Sequence, residues 1–410
     1  MPIRQRKSTG NPVEINLTNV RLLLLCPENS QNPEILVKGT RMKDIIADRM
    51  RFIDASGIRK VFALAADLKD PVNLSIGQPD FDVPEKLKES AKKAIDQGWN
   101  KYSQTAGDNE LRTKIAQKIQ EEFGWENPGT LVTNGVSGGL LLTFMALINP
   151  GDEVIIPDPY FVIYKHVVNL LGGKCVFVDT YPDFQLPVEK ISDAITEKTK
   201  LIIINSPNNP TGIVFSDESI KALAEVAAKK NIAVMSDEIY EHFCYDKSCT
   251  SIAQYYDKTI LMRGFGKSYA MTGWRLGYVA VHESMKNALE EMTKIQQYTF
   301  VCAPTPFQRA AMAAFDYDVN EFVRAYKRKR DFVYESLKDT FELVRPGGAF
   351  YFFVKAPGGD GTAFVQKAIK NNVLIIPGNV FSEKDTHFRI SFAASDDKLK
   401  QGVDILCDLV

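Results

Sequence analysis

Lys267 stands in the run Gly264-Phe265-Gly266-Lys267-Ser268-Tyr269-Ala270-Met271-Thr272-Gly273-Trp274-Arg275-Leu276-Gly277-Tyr278. A lysine amine becomes a useful nucleophile toward an aldehyde where its surroundings lower its pKa. Arg275, eight residues on, can hold the phosphate of a cofactor that carries the aldehyde. Together they suggest an internal Schiff base with pyridoxal 5′-phosphate. The Gly266-Lys267-Ser268 triplet could also end a nucleotide-binding P-loop, but that motif needs a glycine five residues before Gly266. Leu261 stands there, so the P-loop reading fails.

Such residues need a rigid edge to stand on. From about 130 to 285, short apolar runs alternate with helical patterns, which predicts a mainly parallel α/β sheet. Strands are expected at 153–156, 201–204, 232–235 and 259–262. Between the second and third of these, the spacing predicts a helix over 216–230. Ser216 would be its N-cap, with Asp217 and Glu218 in the first turn. Ile220, Leu223, Ala224 and Ala227 would form its apolar stripe, and Lys229 and Lys230 would suit the C-terminal end of its dipole. Polar motifs follow the last three strands: Asn205-Ser206-Pro207-Asn208-Asn209-Pro210-Thr211-Gly212, then Ser236-Asp237-Glu238-Ile239-Tyr240, then 264–267. Ligands of α/β sheets bind beyond the carboxyl ends of the strands. Several motifs reaching that edge separately carry more weight than any one of them.

The 410 residues are 45% hydrophobic and 25% charged, with net charge -1, an ordinary globular balance without a basic patch for nucleic acid. Six scattered cysteines lack CxxC spacing and favour reduced thiols over a disulfide framework. Four histidines show no metal-ligand spacing. The longest purely apolar run near the start, 22–26, is too short for a spanning helix or a signal core, and a cytoplasmic setting is expected. Residues 1–40 start basic, carry Asn and Pro clusters, and are expected to form a mobile extension. Residues 41–75, with a helical run at 42–53, are expected to join 320–410 in a small α+β domain. Its strands are read at 347–353 and 388–392, and its charged helix near 320–340 is expected to be solvated. Residues 76–319 then form the large cofactor-binding domain.

At these residues the chain resembles the fold-type I pyridoxal-phosphate enzymes of the class I/II aminotransferase family, above all the bacterial and archaeal aspartate-aminotransferase-like branch. The resemblance covers roughly 41–410. It is carried by Ser-Pro-Asn-Asn-Pro-Thr-Gly at 206–212, Ser-Asp-Glu-Ile-Tyr at 236–240 and Lys-Ser-Tyr-Ala-Met-Thr-Gly-Trp-Arg-Leu-Gly-Tyr at 267–278. It implies a seven-stranded, mainly parallel sheet with helices on both faces, plus the smaller α+β domain.

The resemblance also implies roles. Lys267 would carry the cofactor and, once freed, move a proton between the amino acid α-carbon and the cofactor C4′. Asp237 would pair with the pyridine nitrogen and keep it protonated. Tyr240 and Asn209 would meet the phenolic oxygen, and Phe161 would stack on the ring. Val136 and Ser137 lie where the small-residue run 134–139 opens a helical stretch, so their N–H groups would face the phosphate. Arg275 would add charge there, and Tyr102 would reach across from the neighbouring subunit of a homodimer. Arg389 would grip the substrate α-carboxylate bidentately, with Gly77 and Asn209 beside it. Read singly, Asp237 could cap a helix, Asn209 open a turn, Phe161 fill a core and Arg389 sit on a surface.

Two positions depart from the family pattern. Gly264 stands where relatives often place a phosphate-binding serine. Ser137 stands where some acid-specific relatives place a lysine for a distal carboxylate. The expected activity is transfer of an amino group between an L-amino acid and a 2-oxo acid, 2-oxoglutarate being the expected acceptor. The donor would be aspartate or a broad range of amino acids. A carbon–sulfur β-lyase would share every residue named. A non-catalytic regulator on this scaffold is the third reading, opposed by the intact Lys267 and by the lack of a helix pair in 1–40.

Overall fold

A strand buried on both faces reads as a nearly continuous apolar run, because helices cover it from either side. Leu201-Ile202-Ile203-Ile204 and Leu261-Met262 are such runs, and both are buried in the core of a computed structural model that describes residues 46–54, 57 and 68–410. In chain order the strands are β1 (Val72–Asn73), β2 (Gly129–Asn134), β3 (Glu153–Asp158), β4 (Lys174–Asp179), β5 (Thr199–Asn205), β6 (Ala233–Asp237), β7 (Thr259–Gly264), β8 (Leu276–Val281), β9 (Tyr351–Lys355), β10 (Val373–Leu374), β11 (Ile376–Pro377) and β12 (His387–Ser391).

Strands β2 to β8 form one sheet in the order β2-β8-β7-β6-β5-β3-β4. The pairings from β4 through β7 are parallel, and β8 runs antiparallel to both of its neighbours, β7 and β2. The four expected strands are β3, β5, β6 and β7, each a little longer than its apolar run. Alternation sorts their side chains. Ile155, Ile202, Ile204 and Val234 meet Ile220, Leu223 and Ala227 of the helix Asp217–Lys230. Val154, Ile156, Leu201, Ile203 and Met235 meet the opposite layer, from the helices Gly135–Leu147 and Lys286–Thr299. The expected cap is present: the Ser216 hydroxyl accepts from the Ser219 N–H at 3.1 Å.

The C-terminal part adds an antiparallel sheet, β11-β12-β9, and a short parallel pair, β1-β10, that ties Val72 to Val373. Residues Ala47–Val410 make one compact unit. The expected extension 1–40 and the first residues of the 42–53 run lie outside the described residues. The described part of that run is a 3-10 turn, Asp48–Phe52. No helix among the described residues is long and apolar enough to cross a membrane.

Two expectations are corrected. The helix Asn320–Leu337 is not simply solvated, for Arg330 is fully buried and bonds Asp246 at 2.7 Å and the Pro346 carbonyl at 2.8 Å. Arg330 shares its helix stripe with Tyr326, Val333 and Leu337, so helical periodicity carries it inward and Asp246 meets its charge. The cysteines are not all reduced: Cys244 and Cys249 form a disulfide, because a turn brings their Cα atoms to 6.2 Å. Cys175, Cys302 and Cys407 are free thiols.

Candidate active site

A cavity of about 330 Å³ opens at the carboxyl edge of the central sheet. Gly77, Val136, Ser137, Phe161, Asn209, Asp237, Tyr240, Lys267, Arg275 and Arg389 all line it. These ten are every residue singled out from the sequence except Tyr102. Tyr102 is 81% exposed and lines a separate hollow with Trp99 and Arg309.

The antiparallel turn of β8 explains the first pair. β7 ends at Gly264 and β8 starts at Leu276, so the connection between them leaves and re-enters the sheet at one edge. Lys267 and Arg275 therefore reach the same cavity. Lys267 Nζ donates to the Gly77 carbonyl at 2.5 Å. Its amine is lowered to about 8, first by burial and then by repulsion from Arg389 and Arg275, with Asp237 opposing. Lys267 is half-buried because its exposed part faces the cavity it lines.

Asp237 closes β6 and is buried. Its Oδ2 accepts from the Tyr164 hydroxyl at 2.7 Å and its Oδ1 from the Ile239 N–H at 3.3 Å. The Asn205 side chain holds its carbonyl at 2.8 Å. Burial pushes the carboxyl up to about 6, with the Tyr164 bond pulling the other way. Three residues on, the Tyr240 hydroxyl lies 2.8 Å from that of Tyr351. Glu238 and Glu241 of the same segment do not line the cavity. Glu238 and Glu241 meet the buried Arg263 at 2.8 and 2.7 Å, and Glu122 reaches it at 2.7 Å. His242 Nδ1 lies 3.0 Å from the Ser268 hydroxyl, next to Lys267.

Arg389 sits in β12, 1% exposed, clasped between the rings of Tyr351 and Phe381 at 4.6 and 4.4 Å. It donates to Asn209 Oδ1 at 2.9 Å and to the Ser75 carbonyl at 2.6 Å, while its Nε has no hydrogen-bond partner among the described residues. Since Asn209 Oδ1 is committed to Arg389, the Asn209 amide nitrogen is the donor left for a ligand. Gly77 admits no side chain, because a Cβ there would strike the Tyr351 hydroxyl.

The opposite end of the cavity has fewer side-chain bonds. The helix Gly135–Leu147 starts there with no side-chain cap, although Asn134 occupies the N-cap position. Gly135 has φ +70°, and a Cβ on it would meet the Arg275 guanidinium at 3.0 Å. The helix thus turns uncapped N–H groups and its positive dipole end toward a space bordered by an arginine. Arg275 is exposed and its Nη1 bonds the Thr272 carbonyl at 2.9 Å. Gly264 lies just behind, paired with Gly277. A Cβ at 264 would come within 3.1 to 3.2 Å of Ile239, Gly277 and Leu276.

Sequence reasoning missed Tyr164, Tyr351 and Asn205. Asn205 opens a motif already quoted, so its strand-end position was a usable signal. Tyr164 and Tyr351 sit among apolar residues that read as core.

Residues 69–406 match the family described as aminotransferase class I and II. A probable aspartate aminotransferase of Methanocaldococcus jannaschii is 41% identical over 375 residues, covering 89% of this chain and 100% of that protein. An aromatic-amino-acid aminotransferase of Thermococcus litoralis is 37% identical, covering 88% and 96%. The crystal structure of an aspartate aminotransferase from Thermotoga maritima superposes with a TM-score of 0.84 at 36% identity, covering 88% and 99%.

Proposed function

The chain belongs to the class I and II aminotransferase family and is a pyridoxal-phosphate-dependent transaminase, and we propose that it moves amino groups from a broad range of L-amino acids to a 2-oxo acid, 2-oxoglutarate for choice. The observation that carries the assignment of residues is the convergence of Lys267, Asp237, Tyr240, Arg275 and Arg389 on one cavity.

The donor set fits the cofactor. The uncapped N–H groups of Val136 and Ser137 and the guanidinium of Arg275 suit a phosphate. Lys267, lowered to about 8, suits an aldehyde. Asp237 suits a ring nitrogen, and Tyr240 with the Asn209 amide suits a phenolic oxygen. Phe161 borders the cavity where a ring face can stack. When bound, the cofactor supplies an aldehyde that accepts the amino group and a ring that draws electrons from the α-carbon.

The chain's own residues do the rest. Arg389 holds the α-carboxylate with its remaining donors, since the Asn209 and Ser75 bonds fix the plane of its fork. Gly77 leaves its backbone free to approach the same group. Lys267, with its amine free, would stay within reach of the α-carbon and could carry the proton away and back. Asp237 would hold a negative charge toward the ring nitrogen and favour its protonated form. Tyr102, 81% exposed in the single chain, is free to serve the phosphate of a second copy in a homodimer. A cytoplasmic setting completes the proposal.

The cations lining the cavity, among the described residues, are Lys267, Arg275 and Arg389, and each has a task in this scheme. Ser137 offers no charge to a distal carboxylate. Discrimination for aspartate then lacks a dedicated cation, which supports the broad donor range. The relatives, named for aspartate and for aromatic amino acids, are compatible with either class of donor. A single-turnover screen of amino acids, followed by the cofactor absorbance, tests this. Comparable rates for aspartate, neutral and aromatic donors are expected. An aspartate preference of about a thousandfold would refute the broad range. Release of pyruvate and ammonia without an acceptor would overturn the transfer reaction in favour of β-elimination.

A further inference from the structure

Tyr164 has no role in the scheme above, yet its hydroxyl is among the most deeply placed polar groups near the cavity. It lies in the short helix Ile163–Leu170, 1% exposed, and does not line the cavity itself. A buried hydroxyl is costly unless it is bonded, and a phenylalanine would fill the same space without that cost. Among the described residues the hydroxyl has one hydrogen-bond partner, Asp237 Oδ2 at 2.7 Å. That carboxylate is the one acidic side chain lining the cavity among the described residues.

We propose that Tyr164 is a positioning residue for the transamination chemistry, its phenol O–H donating to Asp237 Oδ2 so that the carboxylate stays fixed, charged and weakly basic opposite the ring nitrogen. The proposal rests on the reading of Asp237 as the ring partner. A donated hydrogen bond stabilises the ionised carboxylate and lowers its appetite for a proton. A proton shared between Asp237 and a pyridine nitrogen then remains on the nitrogen, where its charge draws electrons from the substrate. An arginine or lysine in place of Tyr164 would also fix the carboxylate, but would cancel the negative charge the ring needs. A phenol fixes it and leaves the charge in place.

The surroundings agree. Burial and the Asp237 charge hold the Tyr164 phenol well above the usual tyrosine range, so it remains a donor. The other charged or titratable groups that act on Asp237 are Glu238, Lys267 and Tyr240. Glu238 is turned to Arg263, Lys267 lines the cavity, and Tyr240 is bonded to Tyr351. None of these groups bonds the Asp237 carboxylate. The remaining hydrogen bond to it is the longer one from the Ile239 N–H, on Oδ1. Oδ2 thus depends on Tyr164.

The test loads the full-length enzyme with cofactor carrying 15N at the ring and follows the ring-nitrogen chemical shift with pH, in wild type, Tyr164→Phe and Asp237→Asn. Wild type should show a protonated nitrogen from about pH 6 to about pH 9, the span around the groups concerned. Tyr164→Phe should move the shift toward neutral pyridine. It should also weaken cofactor binding by roughly tenfold, the scale of one lost bond to a charged group, and lower kcat with the donor KM nearly unchanged. Replacing Tyr164 by 3-fluorotyrosine keeps the shape and strengthens the donor. It should restore the protonated shift, and it keeps the test open if the phenylalanine variant folds poorly. A Tyr164→Phe enzyme with the wild-type shift at every pH, beside an altered Asp237→Asn, overturns the role of Tyr164 alone. A wild-type shift in Asp237→Asn as well overturns the ring-partner reading, and the role of Tyr164 with it.

Discussion

The two ends of the cavity are built by opposite means. At one end the polar groups are buried and already bonded to one another: Asp237 with Tyr164, Tyr240 with Tyr351, Asn209 with Arg389. At the other stand an uncapped helix start and an exposed arginine, with Gly264 packed behind them. The first end is pre-organised by side chains whose geometry a ligand does not have to create. The second relies on backbone N–H groups and on one solvent-exposed charge, which attract an anion through groups less buried than those of the first end. Damage at the bonded end should therefore appear chiefly in the chemical step, with a smaller loss of cofactor affinity, and damage at the open end chiefly in cofactor retention.

The largest effect is expected from Lys267→Ala, which should fold, still take up cofactor, and show no steady-state turnover in a coupled assay. Substantial turnover by that variant would remove the premise of the comparison. Asp237→Ala follows, with kcat falling by roughly 10²- to 10³-fold or more, as when a preorganised charge is taken from a site of developing charge. A near-normal kcat would mean that the bonded end does not govern the chemistry.

The open end gives the contrasting result. Arg275→Ala should raise the cofactor dissociation constant by roughly 10- to 100-fold, which corresponds to about 1.5–3 kcal/mol for a lost bond to a charged group. At saturating cofactor its kcat should fall far less than that of Asp237→Ala. Equilibrium binding by fluorescence and kinetics at saturation separate the two quantities, and equal losses in both variants would erase the distinction between the ends.

The pH dependence of reconstitution sharpens the same contrast. Lys267 attacks as the neutral amine, and its pKa is lowered to about 8. Below that value the amine is protonated, so the rate at which the apoprotein links to the aldehyde should drop about tenfold per pH unit as the neutral fraction falls. Above about pH 8 it should level off. A rate still climbing at pH 10 would mean that burial and the two arginines do not lower the amine.

Gly264→Ser should have the smallest effect. A Cβ there meets neighbours at 3.1 to 3.2 Å, so the restored hydroxyl comes with overpacking worth about 1–3 kcal/mol. Cofactor affinity should change by less than about tenfold, while thermal stability drops. A large gain in affinity without loss of stability would show that the open end is short of one hydroxyl only.

The parts of the site that were legible in the sequence lie in short motifs whose internal spacing sets the geometry. Asp237 and Tyr240 are three residues apart at a strand end, and Lys267 and Arg275 flank one connection. The parts that were not legible depend on distant chain. Tyr164 meets Asp237 across a separation of 73 residues, and Tyr351 meets Tyr240 across 111. Each is an aromatic in an apolar stretch, and nothing local distinguishes a hydroxyl with a partner from one at the surface. The strands β3, β5, β6 and β7 were readable as apolar runs alternating with helical patterns. β2, β8 and β4 were not predicted: threonines interrupt the apolar residues of β2 and a glycine those of β8, while the apolar run 175–178 of β4 was overlooked. Arg330 illustrates a neglected signal: its stripe neighbours Tyr326, Val333 and Leu337 pointed inward, and its charge masked that.

The reversed strand β8 has a consequence for transplantation. A parallel successor to β7 would need a long crossover and would begin at the far edge of the sheet. Because β8 runs backward, the chain from Arg263 to Tyr278 is a hairpin, closed by the pairings of Arg263 with Tyr278 and Gly264 with Gly277. The spacing between the amine and the guanidinium is then a property of one contiguous cassette. Such a segment can be exchanged whole between relatives, carrying its geometry with it, whereas inserting a single residue within it would change the reach of Arg275 relative to Lys267.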